Sequence, residues 1–156
     1  MKVSARVLNR DQLVVIVPPD VPQRTLREWG EDLARIVDER IARDFENERG
    51  AGKALGGISE EHEQRKAVDG LDLRRGHMHG DLQDALDRGG YRRVTVRRGR
   101  IDIEWLELDL YADVPHAEPY AEAKVRGGLL LAVLKRDATE AEQYIRIRLR
   151  DLARAA

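Results

Sequence analysis

Two imidazoles and a carboxylate at i, i+2 and i+4, His77, His79 and Asp81 in the string HMHGD, could face one divalent ion from a loop. A metal held there would activate water for hydrolysis. The same residues also suit a helix start with exposed imidazoles and Asp81 in the first turn, where a carboxylate meets the positive end of the helix dipole. Of the other two histidines, His62 and His116, nothing in the spacing brings either near. The string GAGK at 50–53 invites a phosphate-loop reading. That loop needs a glycine five residues before its Gly-Lys pair, a hydroxyl after it and a preceding strand. Asn47 and Ala54 occupy those places and a helix is expected in front. Serine chemistry has two candidates, Ser4 in an expected strand and Ser59 at an expected helix start, and neither lies on a nucleophile turn. With no cysteine, thiolate zinc sites, disulfides and cysteine nucleophiles are all removed. The sequence therefore assigns no catalytic, cofactor-binding or metal-ligating residue, and neither an enzyme nor a cofactor is expected.

The remaining chemistry is charge. Five arginines lie between 92 and 100, with Arg92, Arg93, Arg97 and Arg98 on one expected strand and Asp102, Glu104, Glu107 and Asp109 on the next. Opposed on neighbouring strands, they would pair at about 0.2–1 kcal/mol each. Equally, segregated stripes of opposite sign suit contacts between subunits, because charges on opposite edges of a protomer make a head-to-tail ring self-complementary. These eight residues are the interface candidates. Direct nucleic-acid binding is disfavoured, since the acids offset the arginine field and aromatic interleaving is absent.

The elements that must position these groups follow from composition and period. In 156 residues, 42% hydrophobic and 37% charged, Lys+Arg at 28 nearly cancel Asp+Glu at 29. A chain of this length buries about 70% of its unfolded surface, enough for one core, so residues 1–156 are expected to form a single domain. No net field draws it to DNA or an anionic membrane. The apolar runs 13–19 and 127–134 are far short of the ~18 residues that span a bilayer, so no membrane partner is expected. The opening MKVSAR lacks a signal peptide's apolar stretch, which suggests synthesis and retention in a cytoplasm.

Alternation and turn residues predict an N-terminal hairpin over 2–17. Spacings of three and four at Leu26, Trp29, Leu33, Ile36, Val37, Ile41 and Phe45 predict a long helix over 23–48, its charged residues interleaved on a solvated face. Glycines make 47–57 a loop, and Ser59 caps a short helix to about Ala67. A third short helix carries Met78, Leu82, Ala85 and Leu86 on one side and ends at Gly89-Gly90. Residues 91–110 read as a hairpin about Gly99-Arg100. The apolar phase changes from Ile101, Ile103 and Trp105 to Leu106, Leu108 and Leu110, which predicts a β-bulge at Trp105-Leu106. A loop over 112–119, an apolar strand in LLLAVL (129–134) and a helix over 138–153 complete the chain. That last helix is capped at Asp137 with Glu140 three residues on; Ala141, Tyr144, Ile145, Leu149 and Leu152 face inward and Arg146, Arg150 and Arg154 outward. This order suits an α+β fold, a mainly antiparallel sheet with the long and C-terminal helices on one face.

Three segments in order carry a resemblance. GHMHGDL at 76–82, preceded by LDLRR, is similar to the G-x-L-x-x-S-L segment of the bacteriophage virion-morphogenesis and tail-completion family, the tail-to-head joining proteins. Ile58-Ser59 through Lys66 resembles that family's L-S-x-x-x-x-x-K stretch, and Pro119-Tyr120-Ala121 with Gly127 resembles its later Y-A element. The family's long helix in front and amphipathic helix at the end have counterparts here, so the likeness spans roughly 22–153. It departs from the family at ALGGIS, where a Trp often precedes the Leu-Ser step, and at Asp81, where a hydroxyl is usual. The resemblance implies a virion protein without catalysis, a subunit of a homo-oligomeric ring of six at the head-proximal end of a tail, assembled in the host cytoplasm. Its partners would be the tail tube or terminator and the neck or head-completion proteins, with direct DNA contact only in a ring lumen. A tail terminator or minor tail subunit is the neighbouring alternative. An alternative of another class is a metal-dependent hydrolase using His77, His79 and Asp81, a pattern similar to the HxHxDH signature with Leu82 in place of its last histidine.

Overall fold

Alternating side chains over Ser4–Leu8 (β1) and Gln12–Ile16 (β2) pair antiparallel around a turn in which Asn9 and Arg10 take left-handed backbone, φ 53° and 65°. The structure, a computed structural model, describes residues 2–47, 81–114 and 130–155. The further elements are α1 (Gln23–Glu46), α2 (Asp81–Arg88), β3 (Arg92–Arg97), β4 (Arg100–Trp105), α3 (Glu107–Asp113) and α4 (Lys135–Ala155). The sheet order is β1-β2-β4-β3 with every pairing antiparallel, so the fold is α+β. The expected loop 47–57 from Glu48 onward, the Ser59 helix, GAGK, HMHG and residues 115–119 lie outside the described residues, as do the three resembling segments apart from Asp81-Leu82.

The chain falls into two compact units. The first comprises Met1–Val37, Arg92–Trp105 and Val133–Ala156; the second, Asp38–Tyr91 and Leu106–Ala132. In the first, strand register places Val7, Leu13, Ile103 and Val94 in one cross-strand row and Ala5, Val15, Ile101 and Val96 in the next, all on one face. The front of α1 lies against that face. A Cβ on Gly30 would stand 2.7 Å from Val94 Cγ1 and 3.1 Å from Ile101 Cγ2, so glycine permits the close approach. Leu26, Trp29 and Leu33 of α1 and Ala141, Ile145 and Leu149 of α4 are buried with Leu13, Val15, Ile101, Ile103 and Trp105. Each such large side chain contributes about 1.5–3 kcal/mol. Leu152, assigned inward by period, is 41% exposed in the last turn of α4.

Helix α4 also covers the outer edge of β1. Glu142 accepts the Ala5 N–H at 2.9 Å, and Arg146 donates to the Val3 carbonyl at 3.3 Å, removing backbone groups that would otherwise recruit another strand. A polar triad ties α4 to α1. The Tyr144 hydroxyl donates to Asp32 at 2.6 Å and accepts from Arg148 Nε at 3.2 Å, and the Arg148 guanidinium lies 5.2 Å from the Tyr144 ring centre. Burial, then the bond to Asp32, raise the Tyr144 phenol above its ordinary value against the opposing pull of Arg148. Below an unfolded phenol's pKa of about 10 both folded and unfolded chains keep the proton, and the triad's contribution is fully present. As pH rises past that point the unfolded chain loses its proton first, and the contribution is lost as pH passes the raised folded value. Tyr144→Phe should therefore cost about 1–2 kcal/mol at pH 7 and flatten the alkaline decline in stability, measured by urea unfolding at neutral and alkaline pH.

Four expected features are corrected. The β3–β4 turn is Arg98-Gly99, one residue earlier than Gly99-Arg100, because Gly99 supplies the positive φ of 72° and Arg97 pairs with Arg100. No bulge interrupts 101–110: β4 ends at Trp105 and α3 begins, with Leu110 N–H bonding back to Leu106 O at 3.3 Å. The phase change marks a strand giving way to a helix, whose period buries Glu107, Leu110 and Val114 and leaves Leu108 65% exposed. LLLAVL is not a strand over its described part. Each backbone group in question finds a partner other than a ladder: Leu131 N–H on Glu107, Ala132 O on Arg40, Val133 N–H on Arg10 O and Leu134 N–H on Asp137. Helix α4 accordingly starts at Lys135, and Asp137 sits within its first turn, reaching back to Leu134 N–H at 2.7 Å as the third residue of a capping box does.

In the second unit Ile41, Phe45, Leu82, Ala85, Leu86, Leu110, Leu130 and Leu131 are buried, and Gly89 ends α2 in left-handed backbone at φ 65°. The charged face expected for the long helix is not wholly solvated. Arg40 and Asp44 are buried one turn apart, joined at 3.1 Å, and Arg40 also donates to Ala132 O at 2.7 Å.

Candidate functional site

With α1 on one face of the sheet, the opposite face carries the charge. Register arranges it in three rows across β1, β2, β4 and β3: Leu8-Gln12-Glu104-Arg93, Arg6-Val14-Asp102-Thr95 and Ser4-Ile16-Arg100-Arg97. Ser4, Arg6, Arg93, Thr95 and Arg97 are exposed, while Val14 is buried beneath its longer neighbours. A concavity of about 290 Å³ opens here, lined by Leu8 and Val14 and by the polar side chains of β3 and β4.

Arg97 and Arg100 stand directly opposite one another, a like-charge pair that would repel. Asp102 resolves it. Arg100 Nε donates to both its oxygens, at 3.0 and 2.9 Å, and Arg97 reaches one at 3.3 Å. The hydrogen bond to Asp102, and then its charge, raise the Arg100 guanidinium above its ordinary value. Arg93 meets Glu104 more loosely, at 3.9 Å. Arg6, Arg93, Arg97 and Arg100 thus stand on this face with two carboxyl groups, Asp102 and Glu104, a formal excess of two positive charges.

The eight interface candidates therefore separate. Arg93, Arg97, Asp102 and Glu104 share the open face, and Arg98 is exposed in the adjoining turn. Arg92 points the other way and donates to Glu31 of α1 at 3.4 Å. Glu107 and Asp109 are corrected: both lie on α3, not on a strand opposite the arginines. Glu107 is 4% exposed and accepts the Leu131 N–H at 2.7 Å, whereas Asp109 is exposed. Sequence reasoning missed Arg6, Arg100 and Thr95 as members of the face. Their alternation with Val7, Ile101 and Val94 was visible, but only pairing register aligns three strands' polar sides. All four histidines lie outside the described residues, and among the described residues no three His, Asp or Glu side chains gather to hold a metal ion. No helix among them is long and apolar enough to cross a membrane.

The fold and this surface define an α+β protein with a four-stranded antiparallel sheet, helix-covered on one face and arginine-rich on the other. Comparison with protein-family models, curated proteins and solved structures finds no match for the chain.

Proposed function

We propose that this protein is a structural subunit of a bacteriophage or phage-derived particle, forming a ring at the head–tail junction that completes the tail and joins it to the neck. The observation that carries the reading is the open sheet face, whose charged side chains stand on rigid strands around a shallow concavity, an arrangement suited to docking a protein surface. The order of resembling segments in the sequence supports the same reading, as do the long helix in front and the amphipathic helix at the end. Inactivating the gene in a particle-producing host tests it. Heads and tails should accumulate separately under the electron microscope, and supplying the gene in trans should restore joined particles. Normal joined particles in its absence would remove the proposal.

A further inference from the structure

We infer that a second copy of this chain docks the exposed side of its α3 onto the open sheet face, head to tail. The inference rests on the ring-subunit reading and names the contact such a ring would use. With Glu107, Leu110 and Val114 buried, α3 presents Leu108, Asp109, Ala112 and Asp113 to solvent. Leu108 and Ala112 stack one turn apart as an apolar ridge, and Asp109 and Asp113 form an acidic ridge beside it. Leu108 is 65% exposed beside the exposed Asp109, so most of it is left uncovered by its own chain.

The open face offers the complement. Its 290 Å³ concavity, lined in part by Leu8 and Val14, can take a leucine side chain, since about 150 Å³ suffices for a benzene-sized group. Arg93 and Arg97 flank it with side chains 67% and 65% exposed, and the face's formal excess of two positive charges matches the two exposed carboxylates of α3, Asp109 and Asp113. Because the two patches differ, the contact is heterologous and propagates from copy to copy, as the contact of a ring subunit must. A nucleic-acid backbone would be drawn to the same arginines but would leave the Leu108 ridge uncovered.

Sedimentation equilibrium of the full chain tests the contact by charge exchange. The wild type should self-associate in the range up to about 300 µM, as a contact of transient strength does. Arg93→Glu with Arg97→Glu, or Asp109→Arg with Asp113→Arg, should each weaken association about a hundredfold or more, because like charges then face each other. Placing all four changes in one chain, or mixing the two double variants, should restore it. Leu108→Ser should weaken association with little change in melting temperature, as the residue is already 65% exposed. A monomeric wild type, a double variant that associates normally, or a quadruple variant that stays apart would overturn the inference. So would loss of binding to a short DNA duplex in the Arg93→Glu, Arg97→Glu variant with self-association intact, which would make the face a nucleic-acid surface. If the charge exchange succeeds but particles form without the gene, the contact stands and the junction role fails.

Discussion

Arg40→Ala should lower the stability of the protein by about 3–5 kcal/mol, read as a fall in the urea midpoint and a drop in melting temperature of about 6–20 °C. The Arg40 side chain is 3% exposed and its Asp44 partner 9%, so removing the guanidinium leaves a carboxylate in a low-dielectric interior. It also withdraws the 2.7 Å bond to the Ala132 carbonyl. Arg40→Lys should recover only part of the loss, because an ammonium is a point charge and cannot span both acceptors as the planar guanidinium does. Arg40→Met with Asp44→Leu should be far less damaging than Arg40→Ala, since it removes both charges and fills the space. A double variant as unstable as the single one would show that the pair's charge is not what makes Arg40 indispensable.

The second large effect is expected at Glu107. Its carboxyl group is buried and accepts the Leu131 N–H at 2.7 Å, where no strand ladder serves that donor. Glu107→Ala should cost about 2–4 kcal/mol, combining an unsatisfied buried amide with the cavity left by the side chain. Glu107→Gln keeps an oxygen able to accept the same bond and should cost under about half as much, with both variants compared by urea unfolding at pH 7. Equal losses would mean that the carboxyl group does more than accept this one bond. Association through the exposed side of α3 should survive Glu107→Gln, because residue 107 faces the opposite way.

Local pattern made much of the fold legible. The long helix is visible because a 3.6-residue period repeats over 24 residues, and all seven residues assigned to its core face are buried except Ile36, which is half-buried. The two hairpins are visible because alternation and turn glycine or asparagine are nearest-neighbour properties. The stretch 106–110 was not legible, since leucines at i, i+2 and i+4 satisfy strand alternation while i and i+4 also share a helix face. LLLAVL was not legible either, because an unbroken apolar run has no period.

Of the candidate surface, the sequence by itself determined that arginines and acids crowd residues 92 to 109, and that β3 and β4 would bring several of them together. Only the tertiary structure decided which of them are surface. Arg92 and Arg93 are adjacent residues of one type, yet strand pleating sends one to Glu31 and the other to the open face. Arg40, Asp44 and Glu107 look like any other charged residues of amphipathic segments. Their burial follows from acceptors and donors at Ala132 and Leu131, 92 and 24 positions along the chain for Arg40 and Glu107. A charge can leave water only where such distant groups arrive to replace its hydration, and no local period records that arrival.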